Sequence, residues 1–151
     1  MSRVRRILHP TDFSPASNAA FARAVEMART NKAELLLAHI LTSVVPLPAD
    51  GYVWPQLYAD IEASAKAEGQ KRLGMLIAKA RKAGVRVKAL LLDGVAHEQI
   101  TRAARTKRAD LLVLGTHGRT GLDRLLTGSV AERIVRHAPC SVFTVKPKRT
   151  A

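Results

Sequence analysis

Asp110-Leu111-Leu112-Val113-Leu114 runs directly into Gly115-Thr116-His117-Gly118-Arg119-Thr120-Gly121-Leu122-Asp123-Arg124-Leu125-Leu126-Thr127-Gly128-Ser129. The first five residues read as a buried strand, and Ser129 to Arg136 reads as a helix stopped by Pro139. Strand-to-helix connections usually take about 2–6 residues, so a gap of this length needs a reason. Glycine lets backbone N–H groups turn toward an anion with no Cβ in the way. Gly128-Ser129 then opens the helix, where unpaired amides and the helix dipole favour phosphate. Ser129 and Glu132 also have the spacing of a capping box, which gives the serine a competing structural role. The stretch follows neither the G-x-x-x-x-G-K-[ST] pattern nor a G-x-G-x-x-G at the first helix. Its residues alone define an anion loop between a strand and a helix.

The same alternation of strand and helix extends outward from the loop. Val4 to His9 is an apolar run stopped by Pro10, and Ser14-Pro15 supplies a helix N-cap followed by proline at the first helical position. Ala19, Ala20, Ala24, Val25 and Ala28 continue at helical spacing. Glu34 to Leu41 is a nearly all-apolar strand, as expected when both faces of a sheet are covered. A long helical stretch runs from about Leu57 to Ala83 and meets Gly84, a C′ glycine. Val85 to Leu92 is the third strand and Val95 to Thr106 the third helix, introduced by Asp93-Gly94. Ser141 to Val145 is the fifth strand. Five strands alternating with four helices describe an α/β domain with a parallel sheet and right-handed crossovers. Ligands of such sheets sit beyond the carboxyl ends of the strands, where the winding direction reverses.

The 151 residues suit one domain, 1–151, with no repeat or linker dividing it. Hydrophobic residues make up 47% of the chain, enough for a packed core and too many for a disordered one. Runs such as Leu35 to Leu41 are too short to span a bilayer, and Met1 to Arg6 is followed by no apolar signal core. The single cysteine, Cys140, excludes an intramolecular disulfide framework and suits a reducing cytoplasm. Lys and Arg outnumber Asp and Glu by 25 to 12, a formal charge of +13. Residues 1–60 carry 6 basic and 5 acidic groups, against 12 and 5 in 61–110 and 7 and 2 in 111–151. A surplus of this kind either solvates helix faces or attracts phosphates.

The spacing Gly115-x2-Gly118-x9-Gly128-Ser129 resembles the phosphate-binding motif of the universal stress protein family, in its ATP-binding branch. Ile7-Leu8-His9-Pro10-Thr11-Asp12-Phe13-Ser14 and Ala138-Pro139-Cys140-Ser141-Val142 are also similar to that family, and the likeness covers essentially the whole chain. The resemblance implies a Rossmann-like sandwich, with a five-stranded parallel sheet in the order 3-2-1-4-5 and four helices on its two faces. Asp12 and the glycine loop would then converge on one crevice. Carried over by position, Pro10, Thr11 and Asp12 would lie by the adenosine, and the backbone of Ile40 would meet the adenine edge. Leu114 and Gly115 would contact the ribose, and Gly118, Gly128, Ser129 and Val130 would hold the phosphates of ATP, with magnesium. Ala131 departs from members that have a hydroxyl there, which removes one phosphate contact. The family also implies a cytoplasmic homodimer, built by pairing of the last strand, Ser141 to Val145, with its twin.

Other residues admit plainer readings. Asp12 suits the N-terminus of the following helix as well as a ribose or a magnesium ion. His9, His39 and His117 lie near strand ends but lack ligand spacing, so packing or hydrogen bonding is the better account. His117 is the one visible general base, with no partner to orient it. Arg119 and Arg124 could reach phosphates. Thr42 to Tyr58, with Tyr52, Trp54 and Tyr58, forms either a flap over the nucleotide or a surface packed on a partner. Two alternatives to a binding and signalling module remain: an ATPase or nucleotidyl hydrolase using the same crevice, and a nucleic-acid-associated protein working through the basic residues from Lys66 to Arg108.

Overall fold

The computed structural model describes residues 3–42, 49, 51, 54–116 and 129–147. Its elements run β1 (Arg6–Pro10), α1 (Pro15–Asn31), β2 (Glu34–Leu41), α2 (Pro55–Lys82), β3 (Arg86–Asp93), α3 (Ala96–Thr106), β4 (Leu111–Gly115), α4 (Ser129–His137) and β5 (Ser141–Val145). All strand pairs are parallel and the sheet order is β3-β2-β1-β4-β5, as the resemblance implied. Element ends move by one or two residues from the sequence reading. The starts of β1 and α2 move furthest; α2 starts at Pro55 because Trp54 is its N-cap and the proline takes the first helical position.

The two-residue period of the strands divides the core into two layers. Ile7, Leu35, Leu37, Leu111 and Val113 face α1 and α2, where they meet Ala20, Phe21, Ala24, Leu73 and Ala80. Their neighbours Leu8, Leu36, Leu112 and Leu114 face α3 and α4, against Ile100, Ala103, Ala104, Ala131 and Ile134. Both sides of β1, β2 and β4 are therefore buried, which is why these strands read as apolar runs and not as alternation. The winding of the chain reverses between β1, whose helix lies on the first face, and β4, whose helix lies on the second. The crevice of the fold opens there, beyond Pro10 and Gly115.

The helices differ in how much of their length the sheet uses. α1 buries a row of alanines, Ala16, Ala20, Ala24 and Ala28, at the four-residue spacing that aligns one face. In the 28-residue α2 only Gly69, Leu73, Leu76 and Ala80 are buried, so its first half carries Trp54, Leu57, Tyr58 and Ile61 on the surface. Trp54 is 66% exposed. Tyr52 lies outside the described residues. β5 pairs with β4 and leaves its other edge open, with Phe143 40% exposed. Among the described residues no helix is long and apolar enough to cross a membrane.

Candidate functional site at the β1–β4 switch point

The first turn of α1 and the end of β1 are tied together by their own polar groups. Ser14 is the N-cap of α1, and its hydroxyl accepts the Ser17 N–H at 3.2 Å. Asp12 Oδ1 accepts the Ser14 N–H at 3.0 Å, an Asx-type turn that leads the chain into the helix. Thr11 Oγ1 accepts the Phe13 N–H at 3.1 Å and the Ser17 hydroxyl proton at 2.8 Å. The turn places Phe13 at φ 63°, a left-handed conformation unusual for an aromatic residue. Its ring stacks obliquely on His39 at 4.5 Å and lies beneath the guanidinium of Arg72 at 5.5 Å. Asp12 thus sits half-buried at the mouth of the crevice in a backbone with little freedom.

β2 fixes this turn from the other side. The Thr11 N–H donates to Ala38 O at 2.8 Å, and His39 Nδ1–H donates to Thr11 O at 2.9 Å. Ile40 continues β2 two residues past Ala38, the strand partner of Pro10. Its backbone therefore lies at the same end of the sheet as Thr11 and Asp12.

β4 completes the floor. Leu8 pairs with Leu112, so Pro10 and Leu114 stand two residues further along neighbouring strands. Leu114 is buried toward α3 and α4, whereas Gly115 reaches the first turn of α1. A Cβ at Gly115 would come within 2.8 Å of Ala16 O and 3.0 Å of Ala16 C. That close approach, and not a left-handed backbone, is why position 115 is glycine. Thr116 is buried and its N–H donates to Val145 O at 3.1 Å, which ends β4 beside β5.

α4 starts at Ser129, with Ser129 and Val130 exposed and Ala131 buried among the residues around Leu114. Ser129 is the first helical residue here, and the Glu132 carboxylate lies 3.0 Å from Arg136 one turn later. Gly118, Gly128, His117, Arg119 and Arg124 lie outside the described residues. The sequence-derived set thus divides in two: Pro10, Thr11, Asp12, Ile40, Leu114 and Gly115 share the ends of three adjacent strands, and Ser129 and Val130 start the helix that follows β4.

His9 and His39 play structural parts. His9 is fully buried against Phe21, and burial pushes its imidazole down to about 4, against the raising effect of the Val113 carbonyl and Asp12. The ring is neutral at pH 7, and because a carbonyl can only accept, Nδ1 carries the proton toward Val113 O at 2.8 Å. Its Nε2 is buried with no hydrogen-bond partner among the described residues. Among those residues, no three His, Cys, Asp or Glu side chains gather as a metal site. Burial also raises the Cys140 thiol, which lies at the far end of the sheet.

Sequence reading missed three contributors: Ser17, Ala16 and the carbonyl-holding role of His39. Ser17 and Ala16 gave no signal, because a serine and an alanine in a first helical turn are ordinary. His39 was visible as a residue near a strand end, but its partner is a backbone carbonyl 28 positions away.

Residues 3–146 match the Universal stress protein family. A universal stress protein of Methanocaldococcus jannaschii is 38% identical over 148 residues, covering 96% of this chain and 84% of that protein. Among solved structures, the universal stress protein UspA from Lactobacillus plantarum superposes with a TM-score of 0.84 at 25% identity, over 96% of this chain and 99% of that one. A universal stress protein family protein from Arabidopsis thaliana with AMP bound gives 0.68 at 26% identity, over 95% and 92% of the two chains. The match in sequence, in strand order and in coverage leads to one conclusion: the chain belongs to the universal stress protein family.

Proposed function

We propose that the crevice binds an adenine nucleotide, ATP with magnesium, and that the protein works as a stress-response binding or signalling module with at most slow hydrolysis. The observation that carries this is that Asp12, just after β1, and Gly115, the last residue of β4, lie at the same end of adjacent strands, with Gly115 kept free of a side chain by the backbone of α1. Pro10, Thr11 and Asp12 would border the adenosine, and the Ile40 backbone would meet the adenine edge. Leu114 and Gly115 would line the ribose. Gly118, Gly128, Ser129 and Val130 would hold the phosphates at the start of α4. Asp12 is the carboxylate suited to a magnesium ion, which is commonly bound by one or two carboxylates together with substrate phosphates. The AMP-bound relative from Arabidopsis thaliana supports an adenine nucleotide as the ligand.

The same reading gives β5 a partner. Its open edge and exposed Phe143 favour pairing with the β5 of a second copy, which would make the protein a homodimer.

Calorimetric titration with ATP and magnesium tests the nucleotide site. Binding is expected in the wild type, and Asp12→Asn is expected to weaken it about tenfold, the loss of one charge-assisted contact. Absence of binding by the wild type, or undiminished binding by Gly118→Val combined with Gly128→Val, refutes the proposal.

A further inference from the structure

A second concave site lies at the opposite end of the sheet, about 20 Å along the strands from the crevice. Arg5, Arg6, Glu34, Arg86, Arg108 and Asp110 line it as a solvent-open concavity of about 410 Å³. That volume falls in the range of small-molecule sites. Its two acids already have partners within and beside the pocket. Asp110 Oδ2 accepts the backbone N–H groups of Arg5 and Arg6 at 2.8 and 2.9 Å, while Glu34 lies 3.5 Å from Arg6 and 3.2 Å from Lys88.

Part of the basic charge here has a structural explanation. Helices α1 and α3 end at this edge, and Arg6 and Arg86 donate to Lys107 O and Lys32 O at 2.9 and 3.4 Å, satisfying carbonyls at those ends. The guanidinium groups of Arg5 and Arg108 have no hydrogen-bond or acidic partner among the described residues. Four guanidinium groups therefore share a concavity in which two of them are uncompensated, an arrangement that repels itself until an anion enters.

The backbone supplies a separate observation. α2 is followed by Gly84 at φ 83°, the residue best suited to the left-handed position after a helix. At the same edge, α1 and α3 are followed by Lys32 at φ 54° and Arg108 at φ 52°. Two cations thus stand where glycine would be less strained. The charges at this edge are kept at a conformational cost.

We propose that the pocket of Arg5, Arg6, Arg86 and Arg108 is a second anion site, which binds a small ligand carrying linked phosphates. Guanidinium groups match phosphate oxygens in pairs, and several converging on one cavity favour a multiply charged chain over a single carboxylate. None of the six lining residues is aromatic, so the stacking platform of a single-strand nucleic-acid binder is missing from this pocket. The shared chemistry is the phosphate chain, whether free or as the tail of a nucleotide.

The test is titration calorimetry of the full chain with tripolyphosphate, in the presence of saturating AMP to fill the crevice. Binding is expected, weakening as salt rises. Arg5→Gln combined with Arg108→Gly should lower the affinity at least tenfold, leaving AMP binding and the thermal midpoint at or above wild-type values. Glycine relieves the backbone at position 108, so lost binding in a chain of equal stability cannot come from unfolding. Tripolyphosphate binding as tight as that of ATP under these conditions supports a free phosphate chain. Tighter ATP binding, lost in the same variant, supports a nucleotide tail at the same site. The proposal is overturned by no tripolyphosphate binding, by binding untouched by the double variant, or by displacement of tripolyphosphate by AMP. Tighter binding of a single-stranded RNA oligonucleotide, lost in the same variant, overturns it in favour of nucleic acid.

Discussion

Gly115→Ala adds one carbon at the floor of the crevice, and the structure says where that carbon must go. It would stand 2.8 Å from Ala16 O, 3.0 Å from Ala16 C and 3.3 Å from Ser17 N. Carbon–carbon contacts are most favourable near 3.5–4.0 Å, so the 3.0 Å approach to Ala16 C is short by about 0.5 Å, and the carbonyl oxygen at 2.8 Å is closer still. All three neighbours are backbone atoms, and no rotamer change can relieve them. The first turn of α1 would have to move away, against the Ser14 cap and the 2.8 Å bond between Ser17 and Thr11. Overpacking of this type costs about 1–3 kcal/mol, and the absence of a flexible neighbour places this case in the upper half of that range. Gly74→Ala is the matched control. Its Cβ would meet nothing within 4 Å in the middle of α2, so alanine should add about 0.5–1 kcal/mol of stability. Urea unfolding at pH 7 would measure both, and ATP titration would read the movement of Asp12 through its link to Ser14. A loss below about 0.5 kcal/mol for Gly115→Ala, within the usual effect of a surface change, would refute the close-approach argument.

Two further outcomes follow from the same geometry. His9 has a folded value of about 4 against an unfolded value of 6.5, so below pH 6.5 the unfolded chain binds more protons than the native one. Stability is therefore full above pH 6.5 and falls as pH drops toward 4; the His9 contribution at pH 5 should be about 2 kcal/mol lower than at pH 7. NMR of the imidazole should show the ring neutral at pH 5.5, and titration above pH 6 would contradict this account. At the sheet edge, the proposed β5 pairing predicts a wild-type dimer by analytical ultracentrifugation and a monomeric Phe143→Lys variant with little change in unfolding midpoint, because the side chain is exposed. A dimer that persists would remove β5 as the interface.

Much of this protein was legible before its structure. The strands β1, β2 and β4 announced themselves as apolar runs because helices cover both their faces, and burial is written directly into composition. Ser14-Pro15 marked the start of α1 because capping is a local interaction between near neighbours. Asp12 and Gly115 were found through local signals too, one at a strand end and one opening a glycine loop. Boundaries were read less well at the starts of β1 and α2; the first half of α2 buries no residue and so shows no packed face.

What the sequence alone determined is therefore whatever depends on near neighbours: the order of strands and helices, the cap and the apolar period. Tertiary structure decided whatever depends on residues far apart in the chain. Position 115 reads as the first glycine of an anion loop, yet a side chain there would meet the carbonyl of Ala16, about a hundred residues earlier. His39 holds Thr11 O, and His9 holds Val113 O, through contacts that no local window contains. Charge behaved in the same way. Along the chain the basic surplus looked like a property of the middle and C-terminal thirds, but folding brings Arg5 and Arg6 from the N-terminus beside Arg86 and Arg108. A parallel sheet gathers the starts of its strands at one edge and their ends at the other, so separation in sequence carries no information about which charges will meet.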